Sequence, residues 1–300
     1  MKILINRKPI DGPWGGGNLF VKAICNAAKK RKHEIGFQFE DDLDAIFIQD
    51  PRYSDLGISI NEIGFYKQHN PDVKLIHRVN ECDARKNTTD VDDLLRNTSS
   101  ITDLTVFVSN WMKDYHLKKG WMCKNNAVIY NGVDKHHFQK REKIKNGKIN
   151  IVAHHWSDNR MKGADVYEFL DSLVEKDERF TFTYIGRSSS NFKNTKIVSP
   201  LHGLELGKEL SRYDVYVSGS RFDPGPNHIL ESLACEIPTL VHVDGGGAVE
   251  FAGQEFAFQD KDDLIHLLLS SSDISNDFMP SPWEFCAGQY LDLIENMVKN

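Results

Sequence analysis

Val217-Ser218-Gly219-Ser220-Arg221-Phe222-Asp223-Pro224-Gly225-Pro226-Asn227-His228-Ile229-Leu230-Glu231 carries the deciding pattern of this chain: an apolar strand end, turn-forming residues around one acid, then the start of a helix. Where a strand hands over to a helix in this way, the first backbone N–H groups of the helix lack intrahelical partners and the helix dipole points its positive end at the loop. Such a junction suits an anion, phosphate above all. Pro224 and Pro226 have no N–H, so the backbone donors fall to Gly225, Asn227 and His228. With the helix starting near Asn227, Asp223 stays in the loop and Glu231 stands one turn further on, able to face the same opening. A carboxylate there matches a vicinal diol such as that of ribose, because it accepts two hydrogen bonds.

The same alternation extends in both directions. Towards the amino end, Ile3 to Ile5, Ala45 to Ile48, Val73 to Ile76, Leu104 to Val108 and Ala127 to Tyr130 read as strands, and Asn18 to Lys29 and Trp111 to Lys119 as helices. Ser109 or Asn110 caps the latter and Gly120 stops it. Lys140 to Asn150 is charged, contains Gly147 and has no buried periodicity, so it reads as a linker. The pattern then restarts, with strands at Ile149 to Ala153, Phe180 to Ile185, Thr195 to Val198, Val215 to Val217 and Thr239 to Val243. Helices are expected at Val166 to Val174, Leu204 to Ser211, Ile229 to Cys235 and Leu264 to Leu269. Strands that are nearly continuously apolar and separated by helices imply mostly parallel sheets covered on both faces. The expectation is two Rossmann-like, doubly wound α/β domains, residues 1–142 and 143–281, with a cleft between them and a last helix, 282–300, packing across either one.

Composition narrows the function classes. The 300 residues carry a formal charge of −6, and the basic residues are dispersed apart from Lys29 to Lys32 and Lys140 to Lys148. Neither cluster has interleaved aromatics, which argues against nucleic acid. Five cysteines, far apart and odd in number, suit reduced thiols in a cytoplasmic compartment. The opening Met1 to Pro9 reads as a strand rather than a signal peptide, and no apolar run reaches membrane-spanning length. Nothing in the sequence requires contact with a membrane surface, and nothing speaks to oligomeric state.

Three further segments could carry chemistry. Gly15-Gly16-Gly17 follows the first strand and a turn with Pro13 and Trp14, and precedes the first helix, so backbone there can approach an anion closely; a glycine-rich surface loop is the plainer alternative. Its spacing fits neither the dinucleotide fingerprint nor the P-loop, which disfavours a nicotinamide oxidoreductase. His154-His155-Trp156-Ser157-Asp158-Asn159-Arg160-Met161-Lys162-Gly163 again joins strand to helix. Arg160 and Lys162 could neutralise phosphates, and Lys162 near a helix start opposes the dipole unless an anion is bound. No cysteine or third histidine supports a metal at His154-His155, and Asp260-x-Asp262 is explained by helix capping. Gly245-Gly246-Gly247-Ala248-Val249-Glu250 follows another strand, where Glu250 and the amides before it could orient sugar hydroxyls. His77, beside Arg78 and Asn80 at a strand end facing the interdomain space, fits either a hydroxyl or phosphate partner or a packed histidine.

In the order and spacing of these pieces the chain resembles the retaining glycosyltransferases of family 4, which have the GT-B fold. The resemblance rests on Gly15-Gly16-Gly17, Val106-Phe107-Val108-Ser109-Asn110-Trp111-Met112 and Val128-Ile129-Tyr130-Asn131-Gly132-Val133-Asp134 in the first half. In the second half it rests on Lys162-Gly163, Ile185-Gly186-Arg187, Glu231-Ser232-Leu233-Ala234-Cys235 with Pro238, and Gly245 to Glu250. It implies a nucleoside-diphosphate sugar donor, a glycan or other hydroxyl-bearing acceptor, retention of anomeric configuration, hexosyl transfer and no required metal. It further implies that the glycine turn approaches donor diphosphate and acceptor, that Lys162 compensates the leaving phosphate and that Glu231 binds ribose. Asp223, Lys162 and His77 are the expected catalytic residues. Gly16, Gly17, Arg160, Lys162, Gly186, Arg187, Gly225, Asn227, His228, Glu231, Gly246 and Glu250 are the expected donor contacts. The chain departs from the family pattern in four places. Asp223 replaces the first acid of Glu-x7-Glu, Ser157 replaces an arginine, Glu236 replaces a glycine, and two prolines follow Asp223. A catalytically weak nucleotide-sugar-binding protein of the same fold is the alternative these departures leave.

Overall fold

Apolar strands need cover on both faces, and the chain supplies it twice. The computed structural model describes residues 1–10, 15–52, 57–273 and 275–299. The expected turn at Pro13 and Trp14 lies outside the described residues. The chain forms two compact units, Met1–Gly132 with Ser281–Asn300, and Val133–Pro280. Where the reading put the change of domain after residue 142, the chain leaves the first unit at Gly132 and re-enters it at Ser281. Gly132 is glycine for a visible reason: a Cβ there would lie 2.5 Å from the Trp283 backbone, where the returning chain passes.

The first unit runs β1 (Lys2–Ile5), α1 (Gly16–Lys30), β2 (Glu34–Gly36), β3 (Ala45–Ile48), α2 (Ile60–His69), β4 (Lys74–Val79), α3 (Asp83–Lys86), α4 (Val91–Ser100), β5 (Leu104–Phe107), α5 (Asn110–Lys118) and β6 (Asn126–Val128). Its strands pair in parallel in the order β2-β1-β3-β4-β5-β6, with the reversal of order between β1 and β3. Ser109 caps α5, its hydroxyl accepting from the Met112 N–H at 3.0 Å. On one sheet face Phe20, Val21, Ile24 and Ala28 of α1 pack with Phe47 and Ile76. The last helix, α11 (Trp283–Lys299), joins the same core through Cys286, Ala287, Tyr290, Leu291 and Ile294. The carboxy-terminal helix thus completes the first unit.

In the second unit the order is β7 (Ile149–His155), a 3₁₀ turn (Arg160–Lys162), α6 (Ala164–Lys176), β8 (Phe180–Gly186), β9 (Lys196–Val198), α7 (Gly203–Leu210), β10 (Val215–Ser218), α8 (Asn227–Ala234), β11 (Thr239–His242), α9 (Gly247–Ala252), a second 3₁₀ turn (Gln254–Phe256), β12 (Ala257–Phe258), α10 (Lys261–Leu269) and a third 3₁₀ turn (Ser271–Asp273). The parallel sheet is ordered β12-β11-β10-β7-β8-β9, the doubly wound dinucleotide-type order, and strand order reverses between β10 and β7. In open α/β sheets ligands bind outside the carboxyl ends of the two strands flanking that reversal. The Lys140 to Lys148 segment belongs to this unit, with the Ile144 N–H donating to the Arg212 carbonyl at 2.8 Å. Asp260 is the N-cap of α10, accepting from the Asp262 and Asp263 N–H groups.

Candidate functional site

At the reversal point of the second unit, β7 ends in His154 and His155, and β10 runs into the loop of Gly219 to Pro226. Three ties hold the turn after β7 to that loop. The Arg221 N–H donates to the Met161 carbonyl at 3.0 Å. The Arg221 guanidinium forks onto both oxygens of Asp165, in the first turn of α6, at 2.9 and 2.7 Å. Gly163, at φ +100°, lets its backbone run so close to Gly219 that a Cβ would sit 2.4 Å away. Only glycine fits there, and the close approach fixes where Lys162 stands.

Lys162 points its ammonium at Asp223, Nζ to Oδ2 at 2.9 Å, with the two side chains 17% and 8% exposed. Ser220 Oγ donates to the same carboxylate oxygen at 3.3 Å. Phe222, immediately before Asp223, has φ +51°, a left-handed conformation that a bulky residue adopts only under constraint. Its N–H donates to the Asp244 carbonyl at 2.7 Å, and strain of about 1–3 kcal/mol is typical of such residues beside functional sites. The glycine loop 245–247 explains the constraint. Gly246, at φ +68°, pairs with Asp223 as a short parallel bridge, the Gly247 N–H donates to the Asp223 carbonyl at 2.8 Å and the Asp223 N–H to the Gly245 carbonyl at 3.2 Å. In this loop the amides of Gly245 and Gly247 donate to the His242 and Asp223 carbonyls. These glycines bring the chain against Asp223, since a Cβ on Gly247 would lie 2.6 Å from the Pro224 carbonyl.

Glu231 projects from α8, and its Oε2 accepts from His154 Nε2 at 2.8 Å. His228, also on α8, turns inward: its Nε2 meets Ser218 Oγ at 3.0 Å and its ring lies 4.8 Å from that of His155. His155 Nε2 in turn meets Tyr167 Oη at 2.5 Å, and burial raises the Tyr167 phenol well above its usual range, so it stays a neutral donor and acceptor. Gly225 and Asn227 stand at the start of α8, whose N-cap is Pro226, and Glu250 lies on α9. Gly186, at φ +121°, closes β8 where a Cβ would strike the His155 carbonyl at 2.0 Å. Arg187 follows it, the guanidinium 4.4 Å from the Trp156 ring centre.

Two expected residues are placed otherwise. Arg160 is exposed and directed along α6, 3.6 Å from Glu168, rather than beside Lys162 and Asp223. His77, on β4 of the first unit, is fully buried, its Nδ1 2.9 Å from Ser99 Oγ on α4. Burial pushes its pKa down to about 3, so it is a neutral, packed histidine and faces no opening. Gly16 and Gly17 begin α1 at the carboxyl edge of that unit's sheet; a Cβ on Gly17 would press on the Gln49 carboxamide at 3.0 Å. Sequence reasoning missed the contact of His154 with Glu231. The adjacent histidines at a strand end were the only signal, and nothing local shows that one reaches a carboxylate 77 residues on. Among the described residues no group of three or more His, Cys, Asp or Glu side chains is arranged to hold a metal ion, and no helix is long and apolar enough to cross a membrane.

No protein-family model and no curated protein sequence matches the chain. Solved structures do. A sucrose-phosphate synthase from Thermosynechococcus elongatus aligns with a TM-score of 0.68 at 14% identity, covering 99% of this chain and 98% of that one. HepE of Anabaena, in complex with UDP-glucose, aligns at 0.66 and 12%, covering 100% and 98%. A glycosyltransferase from Rickettsia africae ESF-5 aligns at 0.67 and 13%, covering 100% and 99%. At such identities the likeness is one of fold. With its two parallel six-stranded sheets and flanking helices, this chain has the two-domain α/β fold of the GT-B glycosyltransferases.

Proposed function

We propose that this protein transfers a sugar from a nucleoside-diphosphate donor to an acceptor hydroxyl with retention of anomeric configuration, in the manner of the family 4 enzymes. The observation that carries the reading is the grouping of Lys162, Asp223, Glu231 and the start of α8 at the strand-order reversal of the second unit. Fold likeness to a protein captured with UDP-glucose supports it.

In this reading the donor lies on the second unit. Lys162 and the amino end of α8 meet the diphosphate, and protein cations and amides rather than a metal balance its charge. Glu231 accepts from the ribose hydroxyls. Asp223 orients Lys162 and a sugar hydroxyl. The acceptor hydroxyl attacks the anomeric carbon from the face the phosphate leaves: the bond from carbon to phosphate oxygen breaks, the bond to acceptor oxygen forms, and the hydroxyl proton passes to the departing phosphate. No enzyme carboxylate acts as nucleophile, unlike the two-carboxylate glycosidase scheme. The first unit supplies the acceptor side, with Gly16 and Gly17 at its carboxyl edge. The scattered cysteines fit a cytoplasmic setting. A second reading, donor binding without transfer, is favoured by one observation: Arg160 pairs with Glu168 and leaves Lys162 as the cation beside Asp223.

A panel of UDP-, GDP-, ADP- and dTDP-sugars, read by thermal shift and by acceptor-dependent release of nucleoside diphosphate, tests both readings. Transfer predicts stabilisation by one nucleotide class with turnover, and loss of both in Lys162→Ala and Glu231→Ala. Stabilisation with no turnover on any acceptor selects the binding reading. No stabilisation by any of the four rejects both.

A further inference from the structure

We infer that His154 is a positioning residue whose imidazole holds the Glu231 carboxylate in the orientation that receives both hydroxyls of a ribose, and that it thereby sets a preference for ribonucleotides over 2′-deoxyribonucleotides. The inference rests on the proposed reading of the site as a nucleoside-diphosphate site.

The two residues come from elements of different kinds. His154 is the penultimate residue of β7, which pairs with β8 along its whole length, in register with Ile185 of β8. The residue is 7% exposed and its ring is set by packing, edge-on to Tyr216 with centres 5.5 Å apart and to His228 at 6.2 Å. Tyr216 Oη also spans the backbone of His154, accepting from its N–H and donating to its carbonyl, each at 3.3 Å. Glu231, by contrast, reaches out from α8 on a side chain with three rotatable bonds, which would otherwise have to be ordered when a ligand binds.

Their contact is specific in its chemistry. An ionised carboxylate only accepts, so His154 Nε2 is the donor in this contact, 2.8 Å from Glu231 Oε2. The His154 Nδ1 is buried and has no hydrogen-bond partner among the described residues. The side-chain hydrogen bonding of the imidazole is therefore spent on Glu231, an arrangement that serves orientation of the carboxylate rather than general cohesion of the core. With Oε2 held, the carboxylate plane is fixed and its remaining acceptor capacity is presented in one direction. A vicinal diol offers two O–H donors to such a plane, and a 2′-deoxyribose offers one. A carboxylate free to swivel would bind the two sugars more nearly alike.

Calorimetric titration of the full chain with UDP and dUDP, GDP and dGDP, and ADP and dADP tests this. The wild-type protein is expected to prefer the ribo form of the pair it binds by roughly tenfold, the worth of one hydrogen bond to a charged group. His154→Phe keeps a buried flat ring without the donor and should bring that ratio to within about twofold to threefold, through weaker ribo binding at nearly unchanged deoxy affinity. His154→Gln, whose amide nitrogen falls near the position of the imidazole Nε2, should keep most of the preference. His154→Asn, too short to reach Glu231, should lose it, so the Gln and Asn pair decides the matter even where the Phe variant fails to fold. An unchanged ratio in the Phe and Asn variants, or equal loss for both sugars, overturns the role of His154 while leaving the nucleotide site standing. A wild-type protein that binds none of the six overturns the nucleotide reading and this inference with it, whereas one that binds ribo and deoxy forms alike overturns this inference and leaves a nucleotide site standing.

Discussion

The Lys162 ammonium lies 2.9 Å from the Asp223 carboxylate, so the cation best placed for a phosphate is already opposed by a charge of the protein's own. On the proposed reading, an incoming diphosphate competes with that carboxylate for Lys162. Asp223→Asn removes the competing charge at nearly constant shape and should tighten nucleoside-diphosphate binding about threefold to tenfold while lowering turnover. Lys162→Met should weaken the same binding by about tenfold or more, the usual worth of a charge-assisted hydrogen bond. Titration calorimetry on both variants checks the opposite signs, and weaker binding in Asp223→Asn would count against competition.

Glu236 occupies a left-handed position, φ +54°, one residue past the Cys235 cap of α8. The Ile237 N–H donates to the Ser232 carbonyl and the Glu236 N–H to the Leu233 carbonyl, the paired bonds of a Schellman stop that normally takes glycine. The backbone at this place thus takes the conformation that favours glycine, although the residue is a glutamate. Glu236→Gly should stabilise by about 0.5–1 kcal/mol, because relief of left-handed strain outweighs the exposed ion pair to Lys140. A denaturant midpoint that moves up with an unchanged slope is the expected result.

His77 is neutral inside the first unit, with its pKa depressed to about 3 by burial, and His116 on α5 is depressed to about 4 for the same first reason. In the unfolded chain both titrate near 6.5. Below that value the unfolded state takes up protons that the folded state refuses, so these groups stabilise the fold fully above pH ~6.5, and the contribution falls as pH drops towards the folded values. The slope is at most about 1.4 kcal/mol per pH unit for each histidine. Urea denaturation near pH 7 and near pH 5 should show it, and His77→Gln should flatten it.

Tyr290 of α11 packs edge-on to Phe20 at 4.9 Å and to Phe47 at 5.6 Å, joining the carboxy-terminal helix to α1 and β3. Around it the ion pairs Lys30–Glu284 and Arg31–Asp292 are largely exposed and contribute little. Tyr290→Ala should cost about 3–5 kcal/mol, as large-to-small aromatic changes in cores do, whereas Glu284→Ala should stay within about 0.5 kcal/mol. Chemical denaturation of the two variants distinguishes packing from charge.

Much of the fold was legible from local pattern. Runs such as Ala45 to Ile48 and Val215 to Val217 are apolar on both faces because helices cover both sides of a parallel sheet, and all ten expected strands overlap observed ones. Short or weakly patterned elements escaped. β2 at the sheet edge, Glu34–Gly36, is three residues and barely buried. α2 carries a capping box between Ser59 and Glu62 but buries only Ile63, so its apolar periodicity is faint. At the site, Lys162 and Asp223 stood out beside Gly163 and Pro224 in segments that follow a strand, and Glu231 as an acid in the helix after the second of them. Arg160 and His77 misled, since their residue types fit the chemistry while the direction of a side chain depends on neighbours far along the chain.

By itself the sequence determined the succession of strands and helices, the glycines at the turns and the residue types available to meet a phosphate and a diol, because those follow from periodicity, backbone freedom and charge over a few neighbouring positions. Tertiary structure alone decided that α11 returns to the first unit, that Gly246 pairs with Asp223, and that His154 meets Glu231. Those are meetings between segments distant in sequence, set by strand order and by how closely two backbones pass.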